Sequence, residues 1–219
     1  MYPNKKEVTL FDNVTPIAIT SSTDASPIVV TDLYQSFQNG DRVMIYGHTT
    51  NIAANGLFRV ASVTSTTFAL VDETTYKNIA GSGGGAGAGG IVVKAPPVLF
   101  VEDFRNIILQ VGTSGTATLN LKVAGSLGSP SSIALKNNSE FDYVNMGGTV
   151  NPSNPYTFLN VINLDTNAVT SGATGLAVTG TDINNAYQVN VVAMKYFTII
   201  PATWSAGAIT VKALLTSNS

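Results

Sequence analysis

The chain has no cysteine, so no disulfide ties it together and no thiolate can act as nucleophile or metal ligand. That fits the cytosol or an assembled particle. Histidine and tryptophan occur once each, and Asp, Glu, Lys and Arg together make up only 11% of the residues. A single histidine cannot build a metal site alone, and no His/Asp/Glu cluster accompanies it. With 11 basic residues against 13 acidic ones and a net charge of −2, there is no surplus of cation to neutralise a phosphate backbone, so no nucleic-acid partner is expected. No run of about 18 apolar residues occurs, so no membrane-spanning helix is expected. Met1-Tyr2-Pro3-Asn4-Lys5-Lys6-Glu7 has no apolar stretch after its lysines, and no signal-peptide cleavage pattern is expected.

What fills the chain is Thr, Ser, Asn, Ala and Gly around short apolar runs. Hydrophobic residues make up 44%, enough for a real core, and 219 residues accommodate one large β domain or two of roughly 100 residues each. The dominant local pattern has period two. Ala117, Leu119, Leu121 and Val123 alternate with Thr118, Asn120 and Lys122, as a strand with one buried face requires. Residues 42–46, 57–63, 66–71, 104–111, 141–146, 156–164, 186–200 and 208–215 read as further strands. Tyr187, Val189, Val191 and Ala193 are expected to line one face of the long 186–200 strand. Residues 32–37 allow one helical turn, and no segment supports a long amphipathic helix. Turn residues punctuate the second half at 112–115, 125–130, 137–138, 147–148, 172–175 and 205–207.

Glycine occupies seven of the ten positions of the segment 81–90. Such a segment loses much backbone entropy on ordering, so a mobile hairpin loop is expected. It has neither the Gly-Lys-Ser/Thr ending nor the following helix of a phosphate loop; residues 91–94 read as a strand instead. Ala95-Pro96-Pro97 then stiffens the chain and marks the domain boundary. The predicted fold is all-β: a small barrel-like module over residues 1–95, with the glycine-rich loop 81–90, followed by an antiparallel β-sandwich over residues 98–219.

Each candidate for chemistry has a plainer explanation. His48 follows a strand and Gly47 and reads as a loop residue; no Gly-x-Ser-x-Gly elbow exists for it to serve. Glu102-Asp103 and Glu140/Asp142 are the nearest carboxylate pairs. The latter share a strand face about 6–7 Å apart, but solvated carboxylates far outnumber glycosidase pairs. Asn163-Leu164-Asp165-Thr166-Asn167 is the nearest thing to a calcium loop and reads as an Asx-rich turn. Tyr34, Tyr46, Tyr143, Tyr156, Tyr196 and Trp204 could stack on sugars, though aromatics on strands more often face a core or an interface. Trp204 is expected as an exposed anchor at a sheet end. The residues thus nominate no catalytic group, no metal ligand and no cofactor.

The segment Gln38-Asn39-Gly40-Asp41-Arg42-Val43-Met44-Ile45-Tyr46-Gly47, then Asn55-Gly56-Leu57-Phe58-Arg59-Val60, then Thr66-Thr67-Phe68-Ala69-Leu70, resembles a small β-barrel module common in tailed-bacteriophage virion proteins. The match covers about residues 26–94 and includes the glycine-rich tip and a closing strand. The second half, through residues 104–111, Gly115-Thr116-Ala117-Thr118-Leu119-Asn120-Leu121 and Gly207-Ala208-Ile209-Thr210-Val211, resembles a β-sandwich domain of phage structural proteins. Relatives often carry a sugar-facing Trp after the position of Gly125-Ser126; this chain does not. The resemblance implies a non-enzymatic virion structural protein, foremost a capsid decoration or accessory protein on the particle surface. A neck, tail or baseplate component, and a host-surface glycan-binding adhesion module, are the alternatives. Implied partners are other virion proteins, and copies of the chain itself in a homo-oligomer, with a trimer favoured over a dimer. Met1 to Phe11 is the expected docking arm.

Overall fold

The computed structural model describes residues 5–32, 36–73, 75–126 and 156–217. The chain is all-β, with antiparallel sheets and no α-helix among the described residues. The described residues form two compact units: Pro16–Ala95 make one, and the residues before Pro16 and after Ala95 make the other. The first strand, β1 (Lys5–Val14), belongs to the second unit, because it pairs antiparallel with the last strand of the chain. The sequence reading opened the first module at residue 1; the strand pairing opens it at Pro16. The same pairing corrects the view of residues 1–11 as a free arm. From Lys5 onward the segment is sheet, with Leu10 and Phe11 buried.

The first unit is a seven-stranded curled sheet. Its strands are β2 (Ile17–Ala18), β3 (Ser21–Ser22), β4 (Val29–Thr31), β5 (Arg42–Tyr46), β6 (Gly56–Ala61), β7 (Thr67–Val71) and β8 (Ile91–Lys94), in the spatial order β2-β8-β5-β6-β7-β4-β3. A 3-10 turn, Ile52–Ala54, leads into β6. The residues that carry β2 and β3 lie along both ends of this order. Ala18 pairs with Ile91, Ser22 bridges to Gly87, and Ser21 pairs with Thr31 of β4. The curl is therefore barrel-like. Ile28, Val30, Val43, Ile45, Phe58, Phe68, Leu70 and Val92 fill its interior, and Phe37 meets Phe68 edge-on at 5.5 Å. Fully burying each such side chain contributes roughly 1.5–3 kcal/mol.

The second unit adds β9 (Leu99–Phe100), β10 (Asn106–Ser126), β11 (Tyr156–Phe158), β12 (Val161–Asn163), β13 (Val169–Thr170), β14 (Leu176–Thr181), β15 (Asn184–Asn190) and β16 (Tyr196–Thr216). The 21-residue strands β10 and β16 run antiparallel along their whole length, from Asn106 opposite Thr216 to Ser126 opposite Tyr196. β1 flanks β16, while β15 and β14 follow one another along the other side of β10.

These strands bend together at one level. Gly115 on β10 and Gly207 on β16 take positive φ of 71° and 82°, and Asp182, between β14 and β15, has φ 51°. Asp182 Oδ1 accepts from Gly115 N at 2.9 Å, and the β10–β16 register shifts between Ser114 and Thr118. Such coordinated bulges make the corners at which a sheet turns over. The ring contact between Phe11 and Trp204, 5.8 Å between centroids, shows the turn. Phe11 is paired with Val211, seven residues from Trp204 along β16. An extended strand would hold those positions about 23 Å apart. Of the odd-numbered positions of β10, Ile107, Leu109, Val111, Ala117, Leu119, Leu121 and Val123 are buried, while Thr113 and Gly115 at the bend are not, so one face of the folded sheet packs on itself as a sandwich.

Two predicted strands are broken: residues 156–164 divide into β11 and β12, which pair with β10 and β15. Residues 186–200 hold the end of β15, a turn, and the start of β16. Asn190 Oδ1 accepts from Val192 N, Met194 N donates to the Val191 carbonyl, and Ala193 sits at φ 68°. Tyr187, Val189 and Val191 are buried as expected, but Ala193 is exposed in the turn. The predicted strand 141–146 and the turns at 137–138 and 147–148 lie outside the described residues; of the 32–37 segment, so do 33–35.

Candidate functional site

Two regions among the described residues are candidates for a site. The first is a shallow groove of about 380 Å³ on the outer face of the second unit's sheet. Register builds it. Lys212 lies opposite Gln110, and Gln110 lies opposite Ala186; one row on, Leu214 lies opposite both Ile108 and Glu7. The even-numbered positions of β10 and β16 thus form its floor, and Asn184 with Asp165 forms a wall. Gln110 Nε2 donates to Asn184 Oδ1 at 3.0 Å, and Lys212 Nζ lies 3.6 Å from Glu7 Oε1. The groove offers amides, carboxylates and one ammonium over an apolar strip of Ile108, Ala186 and Leu214. No Ser or His lines it. Its chemistry is hydrogen bonding to a polar partner.

The second region surrounds His48 in the first unit. Sequence placed this residue in a loop, and it is in one, but it is 2% exposed. Asn55 locks its backbone: the His48 N–H donates to Asn55 Oδ1 and Asn55 Nδ2 donates to the His48 carbonyl. The ring bridges two segments. Nδ1 accepts the Asn51 backbone N–H at 3.2 Å, and Nε2 lies 2.8 Å from Ser22 Oγ. Because Nδ1 accepts, the proton of the neutral ring sits on Nε2, and Ser22 Oγ receives the bond. A Ser–His pair working by general-base catalysis needs the opposite tautomer, with Nε2 free to take the hydroxyl proton. Burial lowers the His48 pKa from its usual 6.5, partly offset by a hydrogen bond to the Gly87 backbone, and so favours the neutral ring.

The glycine segment is fastened around this ring, contrary to the mobility its composition predicts. Ser22 and Gly87 exchange both backbone hydrogen bonds, and Gly89 N donates to the Ile19 carbonyl. Asp24 accepts from Gly83 N through Oδ1 and from Gly85 N through Oδ2, at 3.2 and 2.9 Å. Asn51 Oδ1 accepts from Ser82, and its Nδ2 donates to the Thr23 carbonyl. Close approach explains a glycine here better than mobility does. A Cβ at Gly84 would lie 2.4 Å from the Thr50 carbonyl oxygen.

The other sequence candidates scatter. Trp204 is corrected from exposed anchor to core: it is 5% exposed and packs on Phe11. Glu102 lies 3.9 Å from Lys195 on the surface. Asn163 closes an Asx turn, its Oδ1 accepting from the N–H groups of Asp165 and Thr166. Tyr46 is exposed, and Tyr196 meets Phe100 edge-on at 5.9 Å. Glu140, Asp142, Tyr34 and Tyr143, and the side chain of Tyr156, lie outside what is described. Sequence reasoning missed Ser22, Asp24 and Asn51. Their only local signal is that short polar side chains flank turns, which does not say what they bind.

No family model, no curated protein and no solved structure matches the chain. Among the described residues no helix is long and apolar enough to cross a membrane, and no group of three or more His, Asp or Glu could hold a metal.

Proposed function

We propose that the chain is a non-enzymatic structural protein of a bacteriophage virion, a decoration or accessory protein on the surface of the particle. The carrying observation is the strand grammar of the first unit. β5, β6 and β7 are the segments in which the sequence resembles the virion module, and they fold as consecutive antiparallel neighbours with the glycine loop leading into β8. Two features support it. The Ser–His pair that the described residues bring together, Ser22 with His48, is buried and holds the tautomer of a structural bond. Phe100, Val169 and Val192 present exposed apolar side chains on β9, on β13 and in the 191–195 turn, suited to contacts with neighbouring virion proteins or further copies of the chain. A homotrimer is the assembly proposed, assembled in the host cytoplasm and carried on the virion. Mass spectrometry of purified particles, followed by placement of the two units in a density map of the intact virion, tests the reading. Absence of the chain from the particles sinks it.

A second reading rests on the groove. Amides and carboxylates over an apolar strip suit a polyhydroxylated ligand, so a glycan-binding adhesion module is the alternative. Saturation-transfer NMR against a panel of free saccharides, with Gln110→Ala as control, decides it: no transfer from any saccharide removes the alternative.

A further inference from the structure

We propose that His48 is an acid-sensitive latch: protonation of its ring at Nδ1 releases the glycine-rich loop 81–90 from β3 and from the 48–55 segment. The inference stands independently of the virion reading.

The geometry sets the mechanism. In the neutral ring, Nδ1 is an acceptor and Asn51 N–H fills it at 3.2 Å. A proton added to the ring can go only to Nδ1, since Nε2 already carries one. The new N–H then points at the Asn51 N–H, and a buried hydrogen bond becomes a donor facing a donor. Asn51 cannot keep its place in that state. Its side chain is also the clasp of the loop, through Ser82 N and Oγ, and of the β3–β4 connection, through the Thr23 carbonyl. The imidazolium must also find water, because the ring is 2% exposed. The loop lies close against the 46–51 backbone, Gly90 by His48 N and the Tyr46 carbonyl and Gly84 by the Thr50 carbonyl, and its Ser82 depends on the Asn51 clasp. The displaced element is therefore the loop.

The segments packed against the ring carry few other titratable groups. β3 offers the Ser22 hydroxyl, the 48–55 segment offers only amides and hydroxyls, and the loop has no ionisable side chain; its Gly87 backbone hydrogen-bonds the ring and favours the protonated form, so the loss at Asn51 and the hydration of the imidazolium must outweigh that bond for the loop to open. Asp24, beyond β3, holds Gly83 and Gly85, and its negative charge is committed to those two N–H groups. The Tyr46 phenol, at the end of β5, is exposed. The lowered proton affinity of the buried ring agrees with the latch being closed at neutral pH and opening below pH 6.5.

The test uses the intact protein, labelled with ¹⁵N. The ring nitrogen shifts of the single histidine report tautomer and protonation directly, and amide exchange, corrected for its intrinsic pH dependence, reports loop opening at Gly83, Gly85 and Gly87. The expected result is the Nε2–H tautomer at neutral pH. Loop amides should then exchange about tenfold faster or more as the ring protonates, a factor matching the loss of one buried hydrogen bond. Amides of β6 and β7 should keep their protection. In Asp24→Asn the pH dependence should persist, even if exchange is faster throughout. An Nδ1–H tautomer overturns the latch, as does a ring that protonates with the loop still protected. So does a pH dependence that disappears in Asp24→Asn while His48 still titrates, which would make the carboxylate the switch.

Discussion

The indole Nε1–H of Trp204 donates to the Gly207 carbonyl at 3.0 Å, and so spans the bend that β16 makes as the sheet turns over. The ring itself rests edge-on against Phe11 of β1. One side chain thus ties the corner of the longest strand to the core beneath it. Trp204→Phe keeps an aromatic ring but removes the donor and part of the indole's buried bulk, and should cost at least about 1–2 kcal/mol in urea denaturation followed by circular dichroism. A loss below a few tenths would mean that the bond to Gly207 contributes nothing.

Gly207→Ala tests the same corner from the backbone. The residue has φ 82°, and a Cβ would meet Ala117 Cα and the Thr116 carbonyl oxygen, each at 2.6 Å. Strain and contact act together, so a loss of about 2 kcal/mol or more is expected. Gly115→Ala on the facing strand has the same kind of φ, at 71°, but open space around the added Cβ, and should cost less. Equal losses for the two would show that close packing at 207 is irrelevant.

The fastening of the glycine loop gives a third expectation. Asp24→Ala removes the acceptor of two backbone N–H groups on the surface, and should cost on the order of 1 kcal/mol while raising amide exchange at Gly83 and Gly85. Gly84→Ala should cost more, because its Cβ would run into the Thr50 carbonyl and backbone moves less readily than a side chain. If both variants match the parent protein in exchange and stability, the loop is as loose as its composition suggests.

Stability should depend on pH through His48. Its folded pKa lies below that of the unfolded chain, so the unfolded state binds the proton more readily. The contribution is whole above about pH 6.5 and is lost as pH falls from there through the folded value. Denaturation midpoints should therefore drop on acidification, and the drop should be smaller in His48→Gln. An unchanged pH profile in the variant would remove His48 as its source.

Attachment to a particle, under the virion reading, should resist moderate salt, because the described ion pairs and groove offer no concentrated single-sign patch. Truncation of residues 1–10 is a poor probe of docking, since it strips β1 from β16 and leaves Phe11 stranded. Phe100→Ser is a better one: a half-exposed ring on a two-residue strand can be removed at the cost of one edge-on contact with Tyr196, about 0.5–1.5 kcal/mol. Reduced occupancy on reconstituted particles is expected, and undiminished occupancy would exclude that patch from the interface.

The legible parts of this fold were those encoded by neighbours in sequence. Leu109, Val111, Ala117, Leu119, Leu121 and Val123 announce a buried face because side chains alternate across a strand whatever its partner. The membership of β1 in the second sheet was not legible, because its apolar residues suit either sheet and only the distant pairing of Lys5 with Thr216 decides. The break at Ala193 was missed because Asn190 looks like any polar strand residue until its side chain caps Val192. In the His48 site the histidine was visible and its partners were not. Ser22, Asn51 and the loop meet it through contacts across 3 to 39 positions of sequence, as in Ser22 with His48 at a separation of 26. Glycine content spoke of entropy, while the structure uses the same glycines for close approach.

The placement of β16 also sets an order of events during synthesis. It lies between β1 and β10, so the earliest described strand of its sheet, from Lys5, has no neighbour until the stretch from Ile209 to Thr216 has been made. Every pairing of the first unit, by contrast, is closed once Lys94 is in place. A nascent chain can thus shelter the barrel-like core soon after its synthesis, while β1 and β10 wait with open edges. A ribosome stalled before residue 196 should display a protease-resistant first unit beside a second half that is still digestible.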